Sequence, residues 1–171
     1  MDLDFEVVDL PPADHPTEGE RAPEFVRPLV TGEFWEDRAL SSLTDEGPVL
    51  LLPHPMAGSF PATYLWQAVV DRGWTDRLRV VGLTASDPYA CKRLLDDRGV
   101  DAAIFSDPGS GVADAYGIAH ELDGMAGIVE PRPAAFLLDE ECTVRYAWVA
   151  AEWPAFPDYD AIGAAIDDLL A

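Results

Sequence analysis

Two thiols, three imidazoles and a serine at a strand-to-helix turn are the side chains of this sequence best suited to chemistry. Cys91 follows Ser86, Asp87 and Pro88, a cap with a first-turn proline, so it is expected in the first turn of a helix, where the dipole favours a thiolate. A free cysteine is more often a small buried apolar group, and that reading stands beside the reactive one. Cys142 falls in the turn between two expected strands and is expected to be exposed. Two cysteines this far apart suggest neither a disulfide framework nor a zinc knuckle. His15, His54 and His120 show no metal-ligand spacing, so no metal is expected. His54 and Ser59 stand five residues apart without an orienting third group, so no base–nucleophile pair is expected.

The segment His54, Pro55, Met56, Gly58, Ser59 and Phe60 offers a helix N-terminus to a small anion, or is simply a strand-to-helix turn with no ligand; the second reading is preferred. Gly109 and Gly111 follow an expected strand and open a helix, as in a dinucleotide loop. Asp114 stands where the third glycine belongs, and Asp107 would repel phosphate.

The elements that must position these residues alternate between strand and helix patterns from Phe25 onward, the mark of a partly parallel sheet flanked by helices. Val49–Leu52, bounded by Pro48 and Pro53, reads as a buried central strand, and Ala62, Leu65, Trp66, Val69 and Val70 recur at helical spacing from Pro61 to about Gly73. A strand is expected over 78–83, a helix to about Asp97, a short strand over 103–105 and a brief helix ending at Tyr116 and Gly117. Residues 118–132 show no period and read as the longest loop. A hairpin of 134–138 and 144–148 follows, then a helix presenting Tyr159, Ile162, Ile166, Leu169 and Leu170 on one face. Trp148, Trp153, Phe156 and Tyr159 crowd the exit from the hairpin, either to finish a core or to face a partner. Residues 1–24, rich in proline, read as an extended lead-in with one edge strand near Phe5–Val8; 25–171 form a single domain.

The charge balance excludes several functions. With 11 basic and 32 acidic residues the net charge is −21, and Lys92 is the only lysine. Such a field repels nucleic acid and anionic lipid. Acids scattered over nearly every loop suit a cytoplasm of molar salt, where repulsion is screened within about 3 Å, so the source reads as a halophile. No apolar run is long enough to span a bilayer, and the start Met1–Glu6 lacks a basic leader. A cytoplasmic protein is expected.

Several short motifs, in order from Gly19 to Leu170, resemble the peroxiredoxins of the AhpC/TSA (redoxin) group, in a haloarchaeal form. They are Gly19 with Ala22-Pro23-Glu24-Phe25, Asp107 with Val112-Ala113-Asp114-Ala115-Tyr116-Gly117, and Phe136-Leu137-Leu138-Asp139 with Thr143-Val144-Arg145-Tyr146. The resemblance implies an α/β thioredoxin-like fold: a mixed central sheet flanked by helices, closing with a β-hairpin and a helix. In the family motif Pro-x-x-x-Thr/Ser-x-x-Cys, Pro55 and Ser59 match and the cysteine position falls on Ala62. An alanine offers no nucleophile to a peroxide. The family arginine aligns with Pro133, beside Arg132; in thioredoxin-like redoxins a proline there is often cis. Pro55, Ser59, Ala62, Arg132 and Pro133 would thus form a degenerate active-site turn. The resemblance implies no cofactor and a homodimer. Two functions follow: a binding or regulatory module that has lost ordinary thiol peroxidase activity, or an antioxidant oxidoreductase using Cys91 with a thioredoxin-type reductant.

Overall fold

The computed structural model describes residues 6–122 and 124–171. In chain order its elements are β1 (Val8–Asp9), β2 (Val26–Val30), β3 (Trp35–Ala39), α1 (Leu40–Thr44), β4 (Val49–Pro53), α2 (Phe60–Arg72), a 3₁₀ turn (Trp74–Asp76), β5 (Arg79–Thr84), α3 (Pro88–Arg98), β6 (Ala103–Ser106) and α4 (Gly111–Ala115). There follow β7 (Ala119–His120), β8 (Glu130–Pro131), β9 (Ala134–Leu138), β10 (Val144–Val149), β11 (Glu152–Trp153) and α5 (Tyr159–Leu170). Seven strands make one mixed sheet in the order β10-β9-β4-β5-β6-β2-β3. Its centre, β4-β5-β6, is parallel, and the outer pairings are antiparallel.

Alternation along the strands divides the core. Val49 and Leu51 face one side with Leu43, Val81, Phe105, Tyr116 and Phe136, beneath α1 and α4. Leu50 and Leu52 face the other with Trp66, Leu94, Ile104 and Ile166, beneath α2, α3 and α5. Both faces of β4 are covered, and all five of its residues are buried, which is why it reads as an unbroken apolar run. The three longer helices start where side chains replace the missing backbone acceptors: Ser59 caps α2, Asp87 caps α3 and Asp158 caps α5. Gly73 and Gly99 end α2 and α3 in the left-handed conformation.

Several expectations need correction. The β2–β3 hairpin and α1 were not anticipated. The 118–132 segment is not wholly loop, because Ala119 pairs with Pro131 and His120 with Glu130. Val70, expected on the apolar face of α2, is 44% exposed. The lead-in does contain a short strand, but it is Val8–Asp9, paired with β11; Phe5 lies outside the described residues. The isomer of Pro133, which the sequence leaves open, is not cis; the cis peptide bond among the described residues precedes Pro154. Cys142, expected at the surface, is buried against the α1 face of the sheet. Its turn folds inward: Asp139 accepts the amides of Glu141 and Thr143, and the Cys142 carbonyl accepts the Ala22 N–H at 2.9 Å.

Candidate active-site turn

The turn between β4 and α2 is held chiefly by residues remote in sequence. The Met56 N–H donates to Glu130 Oε1 at 2.9 Å, the Ala57 N–H to Ser86 Oγ at 2.8 Å, and Thr84 Oγ1 to the Pro55 carbonyl at 3.1 Å. Glu130 is 1% exposed. No motif announces it, since 74 residues separate it from Met56, and only the return of the chain along β8 brings it there. Ser86, read as part of the α3 cap, leaves that role to Asp87, whose carboxylate accepts the Ala90 N–H at 2.9 Å.

His54 is fully buried and both ring nitrogens are engaged. Nδ1 lies 2.7 Å from the Pro55 carbonyl, and Nε2 accepts the Trp66 indole N–H at 3.1 Å. A lone pair at Nε2 places the proton on Nδ1, so the neutral tautomer is fixed. Burial lowers its pKa to about 4, against a smaller opposing effect of the Pro55 hydrogen bond. Ser59 is occupied elsewhere: its Oγ accepts the Ala62 N–H at 3.4 Å. The two side chains therefore form no base–nucleophile pair.

Ala62 is fully buried in the first turn of α2. Pro61 has no N–H to give and the Ala62 N–H is taken by Ser59, so this helix end is poor in anion donors. Beside it, a cavity of about 310 Å³ lies between Ala57, Gly58, Thr63 and the α3 residues Arg93, Asp97 and Arg98.

Pro133 begins the approach to β9, and its carbonyl accepts the Ala150 N–H at 2.9 Å. Arg132 is buried at 4% exposure and lines a different cavity, with Pro11, Ala13 and His15 of the lead-in. Pro55, Ser59 and Ala62 thus share one turn, whereas the arginine beside Pro133 lines a space to which none of them contributes.

Both thiols are buried. Cys91 is fully buried among the residues beneath α2, α3 and α5, with Sγ 3.7 Å from the Ser86 carbonyl. Burial raises its pKa to about 12, and the Asp87 charge adds to the effect. The Cys142 thiol is also raised, mainly by burial. The dipole argument from sequence is outweighed by desolvation. At the Gly109–Gly111 loop the place of a phosphate is filled from within: Asp107 Oδ2 accepts the amides of Val112 and Ala113 at 2.9 and 3.3 Å, and Oδ1 pairs with Arg27 Nε at 3.0 Å. Among the described residues no group of three or more His, Cys, Asp or Glu is placed to hold a metal ion, and no helix is long and apolar enough to cross a membrane.

Comparison with known proteins agrees with this fold. The model of the AhpC/TSA family matches residues 19–147. Among solved structures, the chain is similar to the peroxidoxin BcpB of Mycobacterium tuberculosis, with 21% identity over 91% of this chain and 97% of that one, at a TM-score of 0.71. It is similar also to a thiol peroxidase of Chromobacterium violaceum, with 23% identity, 91% and 89% coverage and a TM-score of 0.72. A reduced 2-Cys peroxiredoxin of Plasmodium vivax gives 18% identity, 90% and 81% coverage and a TM-score of 0.71. No curated protein matches the sequence significantly.

Proposed function

Because the chain belongs to the AhpC/TSA family and has the peroxiredoxin-like, thioredoxin-type fold, we propose that it keeps this scaffold without the ordinary thiol peroxidase reaction and serves as a binding or regulatory module. One observation carries the reading: the turn that matches the family motif at Pro55 and Ser59 presents a buried alanine, Ala62, at the cysteine position. Peroxide reduction begins with thiolate attack on the O–O bond, and a methyl group cannot make it.

The alternative is a thiol-dependent oxidoreductase using Cys91 and a thioredoxin-type reductant. What favours it is the place of Cys91 beside Ser86, which also holds the turn. Complete burial and a thiol raised to about 12 weigh against it. Intact-protein mass after hydrogen peroxide and a sulfenic-acid trap, in molar KCl, separates the two. The module reading expects no adduct at either cysteine. A rapid, stoichiometric adduct lost in Cys91→Ser would establish the enzyme instead.

The module is further read as a halophile's cytoplasmic protein that works as a homodimer. The acid excess of the sequence supports the first part. For the second, Phe156 is 44% exposed and packs edge-on against Tyr64 at 5.8 Å, beside Phe60, along an apolar groove that continues to Pro154 and Tyr159. Grouped aromatics at a surface are what protein interfaces use. Sedimentation in molar KCl is expected to give twice the chain mass, and a monomer mass would remove the dimer.

A further inference from the structure

Arg132 is the outlier among the basic residues. Six arginines and Lys92 meet a carboxylate: Arg27 with Asp107, Arg38 and Arg79 with Glu46, Arg72 with Asp160, Arg77 with Asp167, Arg145 with Asp139, and Lys92 with Asp96. Arg132, in a chain with 32 acidic residues, is 4% exposed and meets none among the described residues. Its guanidinium donates one long hydrogen bond, Nη1 to the Ala150 carbonyl at 3.3 Å, and its Nε is buried without a partner. A guanidinium cannot escape burial by shedding its proton, so a desolvated one needs a counter-charge.

The space for that counter-charge adjoins it. A cavity of about 260 Å³ is lined by Arg132, by Pro11, Ala13 and His15 of the lead-in, and by Val149 and Ala151 at the end of β10. The lead-in crosses it as a strap fixed at both ends. On one side β1 pairs with β11 and the Leu10 N–H donates to the Ala151 carbonyl at 2.9 Å. On the other, the Asp14 carbonyl packs so tightly on Gly117, at φ +72°, that no side chain fits there. The lining supplies one cationic group and mostly apolar surface, which matches a single negative charge and gives nothing to neutralise a polyanion.

We propose that the cavity beneath the lead-in is a site for a small monovalent anion, a halide or a short carboxylate such as formate, held by the Arg132 guanidinium. Arg132 then acts as the seat of an anion that ties the lead-in to the sheet.

The test is chlorine-35 NMR in molar KCl. The intact protein is expected to broaden the chloride line in excess of bulk salt, and Arg132→Gln to lose that excess, while Arg93→Gln, at an exposed arginine, keeps it. Ala151→Phe fills the cavity and leaves Arg132 in place, so it too should lose the excess, which keeps the test decisive if Arg132→Gln does not fold. Added potassium formate separates the ligand classes: narrowing of the line means that short carboxylates share the site, and no narrowing restricts it to halide. Broadening equal in the intact protein and Ala151→Phe, or absent from the intact protein, overturns the proposal.

Discussion

The turn at Pro55–Ala62 leaves the end of β4 and Arg132 stands just before β9, its antiparallel neighbour, yet they treat buried polarity in opposite ways. At the turn, the amides of Met56, Ala57 and Ala62, the Pro55 carbonyl and both nitrogens of His54 find partners within the protein. At Arg132 a full charge is buried with one long hydrogen bond. Each arrangement has its own physical consequence. A hydrogen bond inside the fold returns about 1 kcal/mol, so a turn closed on itself contributes stability and gains little from a ligand. A buried charge without a counter-ion costs several kcal/mol and gains much from one. The place inherited from the family's chemistry is therefore the quieter of the two, and the ligand-hungry place is beneath the lead-in.

The sharpest way to break the comparison is to disturb the packing that closes the turn. Gly82 on β5 leaves room for the His54–Trp66 pair: a Cβ there would stand 2.7 Å from Trp66 Cζ2 and 3.0 Å from His54 Nε2. Both rings are fixed by their hydrogen bond, so neither can retreat freely. Gly82→Ala is expected to destabilise by about 3 kcal/mol, measured by denaturant unfolding in molar KCl. A loss below 1 kcal/mol would show that the pair is loosely held.

His54 gives the next largest effect and has a pH signature. Its folded pKa is about 4 against an ordinary imidazole value of 6.5, so below pH 6.5 the unfolded chain takes up a proton that the folded chain refuses. The stabilisation is complete above pH 6.5 and is lost as pH falls towards 4, by about 3 kcal/mol in all. Carboxylates titrate in part of this range, so the difference between the intact protein and His54→Gln is the quantity to follow. That difference should shift against the intact protein as pH falls from 6.5 to 4. Parallel curves would mean that His54 is protonated in the fold.

How much of this was legible depended on whether a signal was local. The strands β4, β5, β9 and β10 declare themselves as apolar runs between turns because the sheet buries them, and α2, α3 and α5 by caps and helical spacing. The hairpin β2–β3 did not, because β3 is an edge strand whose Trp35, Glu36 and Asp37 are all exposed and carry no alternation. The motif residues Pro55, Ser59 and Ala62 were readable as one turn because they are adjacent in sequence. Glu130 and Thr84, which hold it, were not, since Thr84 reaches it from β5 and Glu130 from the separate β7–β8 ladder. Cys142 was misjudged because a turn between strands is normally at the surface, and here the lead-in covers it through Ala22. Nothing local could show that Arg132 would be buried with no paired acid among the described residues.

The smaller effects sharpen the contrast. Ser59→Ala removes the cap of α2, whose bond at 3.4 Å is long, and is expected to cost about 0.5–1 kcal/mol. The cost should not depend on the anion of the medium, because the helix end is closed by Ser59 and Pro61 and not by a bound ion. A loss that shrinks when sulfate is exchanged for chloride at equal ionic strength would place an anion at the turn and erase the difference between the two regions.

Ala62→Cys restores the family's atom without the surroundings that would activate it. The side chain at 62 is fully buried, the nearby amides are committed to Ser59, Ser86 and Glu130, and Arg132 lines another cavity. A thiol there has desolvation to raise its pKa, and the arginines of the neighbouring cavity, Arg93 and Arg98, share that space with Asp97. We expect it to react with iodoacetamide at least about tenfold more slowly than an unhindered thiol, with a stability change within about 1 kcal/mol and no gain of peroxide consumption. Rapid alkylation together with peroxide turnover would show that the turn kept its catalytic electrostatics and lacks only the sulfur. In that case, the proposed loss of peroxidase activity would rest on a single substitution and not on the closing of the site.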